Sequence, residues 1–124
     1  MELSRREKAV ELKHNNYNCC QAVACVFADE TGIDEPELKK LGAAFGSGMG
    51  TMGATCGALC GSQMILGMRK YQGKGIWKDA SEFFNKFNEK CGATICKDLK
   101  GVDTGKMLCR CDDCVRTAVD LLES

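Results

Sequence analysis

Apolar residues along this chain recur every three or four positions and nowhere sustain an alternation, so the sequence predicts helices throughout. Ser4-Arg5-Arg6-Glu7 has the form of a capping box, and Leu3, Ala9 and Val10 give a first amphipathic helix ending near His14. Asn18, with Gln21 in the box position, starts a second. Its residues Cys19, Cys20, Ala22, Val23, Ala24, Cys25, Val26 and Phe27 are apolar on every side, as in a buried central helix, and Gly32 closes the segment. Pro36 suits the first turn of a third helix through Leu38 and Leu41.

Ten of the fourteen glycines fall between Gly42 and Gly75, and Gly46 to Gly53 (GSGMGTMG) reads as a loop with close backbone packing or positive φ. Thr55 is the expected cap of the helix that follows. Trp77, Ala80, Phe83, Phe84 and Phe87 form a stripe best read as core, and a last helix sets Cys111, Cys114, Val115, Ala118, Val119 and Leu122 on one face. The expected fold class is all-α, a compact single-domain bundle of five or six helices over residues 1–124. A weak echo, Cys56-Gly57-Ala58 against Cys91-Gly92-Ala93, falls short of a repeat because the flanks differ.

Charge adds little. Seventeen basic and seventeen acidic residues cancel, and no basic cluster interleaved with aromatics occurs, so no nucleic acid and no membrane is expected as a partner. The cysteines change the picture. Ten in 124 residues would suit a disulfide scaffold in a secreted chain. The opening stretch MELSRREKAVELKHNN is charged and amphipathic, without an apolar targeting segment, and the most apolar run, Cys19 to Ala28, is too short to span a bilayer. A cytoplasmic location with reduced thiols is therefore expected, which favours metal or redox chemistry.

Cys56 and Cys60, four residues apart, share a helical face, and Cys56 is expected in the first turn, where free N–H groups favour thiolate. Gly53 and Gly57 beside it leave room for a ligand or another helix, and tight packing accounts for this pair equally well. Cys109-Arg110-Cys111-Asp112-Asp113-Cys114 is a metal signal that matches neither zinc-ribbon nor bacterial ferredoxin spacing. Cys109 is expected just before the last helix. Cys20 and Cys25 read as packing residues. His14, the single histidine, excludes a multi-histidine zinc site and reads as a helix cap. The G-x-G-x-x-G at Gly48 to Gly53 follows no strand, which weakens a dinucleotide reading.

Taken together, Asn18-Cys19-Cys20-Gln21-Ala22-Val23, the glycine loop, Cys56-Gly57-Ala58-Leu59-Cys60-Gly61, Cys96-Lys97-Asp98-Leu99-Lys100-Gly101 and Cys114 resemble the C_GCAxxG_C_C family of small redox-active bacterial and archaeal proteins. The resemblance runs from about Tyr17 to Leu122. It implies a site made of Cys19, Cys56, Cys96 and Cys114, from which this chain departs by six further cysteines. The family is similar to a domain of split-Soret cytochromes, which implies an iron–sulfur cluster; no C-x-x-C-H is present, so haem is not implied.

Separations of 37, 40 and 18 residues place these four thiols on different helices, so only the folded bundle can bring them together. Four convergent thiolates match a [2Fe–2S] or [4Fe–4S] cluster, with zinc as the alternative cofactor. The leading expectation is an electron carrier or redox sensor, rather than a stand-alone enzyme, that meets a redox partner protein. Pairing as a homodimer is expected only from the general habit of small subunits. Two alternatives stand: a thiol–disulfide oxidoreductase using Cys56 with Cys60 or Cys114, and a structural zinc or soft-metal binding module.

Overall fold

In the computed structural model of the protein, described over residues 3–124, six helices of seven residues or more form the body: α1 (Arg5–Lys13), α2 (Cys19–Cys25), α4 (Glu35–Leu41), α6 (Gly57–Lys70), α7 (Trp77–Cys91) and α9 (Cys111–Glu123). Three short segments, α3 (Ala28–Thr31), α5 (Gly46–Met49) and α8 (Cys96–Lys100), sit between them. The fold is all-α, as the periodicity predicts, with the short turns beyond its reach. No helix is long and apolar enough to cross a membrane among the described residues.

α2 is the axis of the structure. Every one of its residues is buried, and it packs chiefly on α6, with α1, α4 and α9 around it. Asn18 caps it with both halves of the box: the side chain accepts from the Gln21 N–H at 2.8 Å, and the Gln21 side chain accepts from the Asn18 N–H at 2.8 Å. In α1 only the Ser4 half forms, because Glu7 turns instead to the Arg116 guanidinium. The second predicted helix breaks after Cys25 and resumes as α3, which ends at Gly32 in the left-handed conformation.

α9 buries Cys114, Val115, Ala118, Val119 and Leu122, as its period requires, and leaves Cys111 half-buried. The aromatic stripe of α7 divides. Phe83 and Phe87 enter the core, whereas Trp77 remains 81% exposed and Phe84 lies at the surface, because the stripe is wider than the surface α6 and α9 offer it. Leu41, the last residue of α4, is likewise exposed. Leu3 precedes the first helix rather than joining it.

The element that organises the site is not helical. Thr55 and Ile95 form an isolated antiparallel bridge, with Cys56 N–H donating to the Thr94 carbonyl at 2.7 Å and Cys96 N–H to the Ala54 carbonyl at 3.0 Å. Two cysteines forty residues apart are thereby set side by side, each at the start of a helix. Thr55 is consequently not the cap of α6. Cys56 holds that position, with extended backbone (φ −50°, ψ 132°) and no side-chain capping bond of regular geometry.

Candidate metal and redox centre

Cys19, Cys56, Cys96 and Cys114 all line one small cavity, together with Cys109, Cys111, Leu99 and Lys100. All four are buried. Cys19 comes from the first turn of α2, Cys56 and Cys96 from the two sides of the bridge, and Cys114 from the first turn of α9.

Close packing depends on two glycines. Gly57 lies against Cys19, whose sulfur occupies the space a side chain there would need. Gly48, at φ 59°, lies against Cys96, where an added Cβ would come within 2.7 Å of the Cys96 Cβ. Gly53, expected to make room at the site, touches only Thr51. The Gly46–Gly53 segment is therefore more than a spacer. Ser47 and Gly48 take left-handed φ/ψ within α5, and Met49 and Met52 also have positive φ. For non-glycine residues such conformations cost of order 1–3 kcal/mol each and persist where neighbours enforce them. Here the turn brings the Ser47 N–H to the Cys19 sulfur.

The thiols are unequal. Cys19 is drawn down to about 6 by the hydrogen bond from Cys111, helped against burial by the Ser47 and Cys20 amides. Cys111 moves far upward in return, through that same bond and through burial. Cys56 is lowered first by the neighbouring Cys114 thiol, with the Leu59 and Ala58 amides at the α6 N-terminus favouring its thiolate. Cys114 is correspondingly raised, by the Cys56 and Cys91 sulfurs beside it and then by burial. Cys91 falls to about 6, chiefly through the neighbouring Cys114 thiol, with Cys109 and Thr117 assisting. Burial holds Cys96 up. Burial also works against the Lys100 charge, yet the neighbouring sulfurs of Cys111, Cys96 and Cys19 outweigh it and keep the ammonium protonated more firmly than usual.

A second grouping escaped the sequence. The sulfurs of Cys91, Cys109 and Cys114 lie within 4.8 Å of one another and could hold a metal ion. Only Cys114 belongs to the set implied by the family resemblance. Cys91 ends α7 whereas Cys56 starts α6, so their sequence echo has no structural counterpart. The C-x-C-x-x-C spacing marks Cys109, whereas Cys91 stands out only through that echo, which gives no hint of its partners.

The remaining thiols stand apart. Cys20 is fully buried with its sulfur 3.7 Å from Met64 Sδ, and desolvation raises it to about 12. Cys25 rises to about 11 for the same reason. Both are packing residues, as read. Cys60 points its sulfur at the Thr55 carbonyl, 3.9 Å away, and does not line the cavity. His14 is the α1 C-cap, and its Nε2 lies 2.9 Å from Asp112 Oδ2.

An all-α fold that gathers buried, partly ionised thiols around one cavity defines a redox-active thiol protein able to hold metal. The family model described as "Putative redox-active protein (C_GCAxxG_C_C)" matches residues 17–124, and the chain belongs to that family. No curated protein and no solved structure matches it.

Proposed function

We propose that this protein holds an iron–sulfur cluster through Cys19, Cys56, Cys96 and Cys114 and uses it for electron transfer or redox sensing in the cytoplasm, exchanging electrons with a partner protein. The observation that carries this reading is the meeting of those four buried thiols in one cavity. The donor chemistry fits. Four soft sulfur ligands are what [2Fe–2S] and [4Fe–4S] clusters require. Bound there, the cluster supplies one-electron exchange.

The chain's own residues supply the rest. Cys19 and Cys56 are lowered towards their ligating form, the bridge at Thr55 and Ile95 fixes the spacing of Cys56 and Cys96, and the Ser47 N–H and Lys100 ammonium offset negative charge on the sulfurs. Apolar neighbours such as Leu99 keep water out.

Anaerobic purification with quantification of iron, acid-labile sulfide and zinc tests the proposal. A brown protein with matched iron and sulfide is expected. Colourless protein carrying zinc alone would overturn it in favour of the zinc module.

One observation favours a second reading. Cys56 and Cys114 line the same cavity, one lowered towards thiolate and the other held as thiol, which suits a dithiol pair: Cys56 attacks a substrate disulfide, and Cys114 closes on Cys56 as the substrate takes up two electrons and two protons. Cys60, turned to the Thr55 carbonyl, is the poorer resolving thiol. Metal-free protein that reduces a model disulfide and needs only Cys56 and Cys114 would establish this reading instead.

A further inference from the structure

We propose that Cys91, Cys109 and Cys114 hold a single thiophilic d10 ion, Cu(I) or Zn(II), at a site of their own that adjoins the four-cysteine cavity through Cys114. The sharing of Cys114 rests on the cluster reading; the three-sulfur site itself does not.

The sulfurs already lie within 4.8 Å of one another. Thiolates about 2.3 Å from a common ion are about 3.8–4.0 Å apart, so modest side-chain rotation closes the site. Among the described residues no histidine or carboxylate joins the trio, and an all-sulfur set selects soft ions over oxygen-seeking ones.

Each sulfur is held by separate means. Cys91 is the last residue of α7, beside Thr117 of α9. Cys114 sits in the first turn of α9, its thiol donating to the Cys109 carbonyl at 3.8 Å. Cys109 precedes that helix in a segment pinned by Leu99, whose carbonyl accepts from the N–H of Leu108 at 2.9 Å and of Cys109 at 3.2 Å. Leu108 in turn packs on the turn after α7, 3.7 Å from where a Cβ on Gly92 would stand. Cys91 and Cys114 are buried while Cys109 is half-exposed, which gives an ion a way in from solvent.

The ion completes a contact between the end of α7 and the start of α9. With three sulfurs it leaves Cu(I) trigonal, or Zn(II) with one position open to water.

The test titrates Zn(II), and separately Cu(I), into chelator-treated, fully reduced full-length protein under anaerobic conditions, against a chromophoric competitor. Wild type is compared with Cys109→Ser and Cys91→Ser, with helicity checked by circular dichroism. Each variant is expected to lose one equivalent of bound ion, or to bind it more than about 100-fold more weakly, beyond what loss of a supporting contact costs. Cys91→Ser, altered outside the lining of the four-cysteine cavity, is expected to keep the iron and sulfide of wild type when loaded with a cluster. Whichever ion binds tightly at one equivalent identifies the occupant.

Unchanged stoichiometry and affinity for both ions in Cys109→Ser would overturn the proposal and leave the cluster reading intact. Parallel loss of iron and sulfide in Cys91→Ser would also overturn it, by making Cys91 part of the cluster. A chain that takes no iron yet binds one ion through these three sulfurs would refute the cluster reading and support this one.

Discussion

Gly57 and Cys19 are in direct contact: the Cys19 sulfur occupies the space where a side chain on Gly57 would begin. Gly57→Ala gains helix propensity of about 1 kcal/mol at an exposed site, but here the methyl group meets the sulfur, the Phe45 carbonyl and the Cys20 N–H together. Overpacking of this kind costs about 1–3 kcal/mol. Net destabilisation in urea and reduced iron per chain are expected. Wild-type iron loading in this variant would show that the Cys19 position is not critical.

The cysteines should sort by place in the fold. Cys114→Ala is expected to abolish iron binding, since it touches both Cys56 and Cys91. Cys25→Ala and Cys60→Ser should retain it, because neither residue lines the cavity. Iron and sulfide analysis of the three variants decides, and iron loss in Cys25→Ala would contradict the assignment.

Metal affinity should rise with pH. Cys109, at about 11 through burial, and Cys114, raised by its sulfur neighbours, still carry protons at neutral pH and must release them on ligation. Cys19 and Cys91, both near 6, have already lost theirs and begin to compete with metal only below that. Competition titrations at pH 5.5, 7 and 8.5 should show continuous tightening, with the steepest loss at the acid end. Flat affinity would mean that the raised thiols do not ligate.

Lys100 should tune the potential. Its ammonium faces the sulfurs and favours the more negative, reduced cluster. Lys100→Met is expected to lower the reduction potential by on the order of 60 mV, one tenfold step for one electron, without loss of iron. Protein-film voltammetry reads the shift, and an unchanged potential would place the charge outside the cluster's field.

Arg69 ties three parts of the bundle together. It donates to Glu30 at 2.7 and 3.0 Å and to the Leu122 carbonyl at 2.6 Å, and lies over the Phe27 ring. Arg69→Met should cost about 1–3 kcal/mol at pH 7. The Arg69 hydrogen bond lowers Glu30 in the folded state, so that pair's stabilisation is complete above the unfolded carboxyl value and fades as pH falls through the folded one. Urea unfolding at pH 7 and at pH 3 should show the penalty shrinking in acid. An equal penalty at both would assign it to packing alone.

Much of this was visible in the chain itself. Asn18 and Gln21 announce the start of α2 because a capping box is a local hydrogen-bond pattern four residues long. The apolar girth of α2 announces its burial, and the period of α9 announces which of its faces turns inward. The family motif pointed to four cysteines that do share a cavity. Thr55 misled because a threonine before a helix is normally its cap, whereas its backbone is claimed by Ile95, forty residues away.

What the sequence determined is therefore whatever depends on neighbours within a few positions: helical class, most of the buried faces, the capping box of α2, and a thiol-rich character. What only the tertiary structure decided is which sulfurs meet. Cys91 reaches Cys109 and Cys114 because the end of α7 abuts the start of α9, and Cys56 stands beside Cys96 because one bridge joins two loops. Those contacts arise from long-range packing and backbone pairing, which leave no periodic trace along the chain.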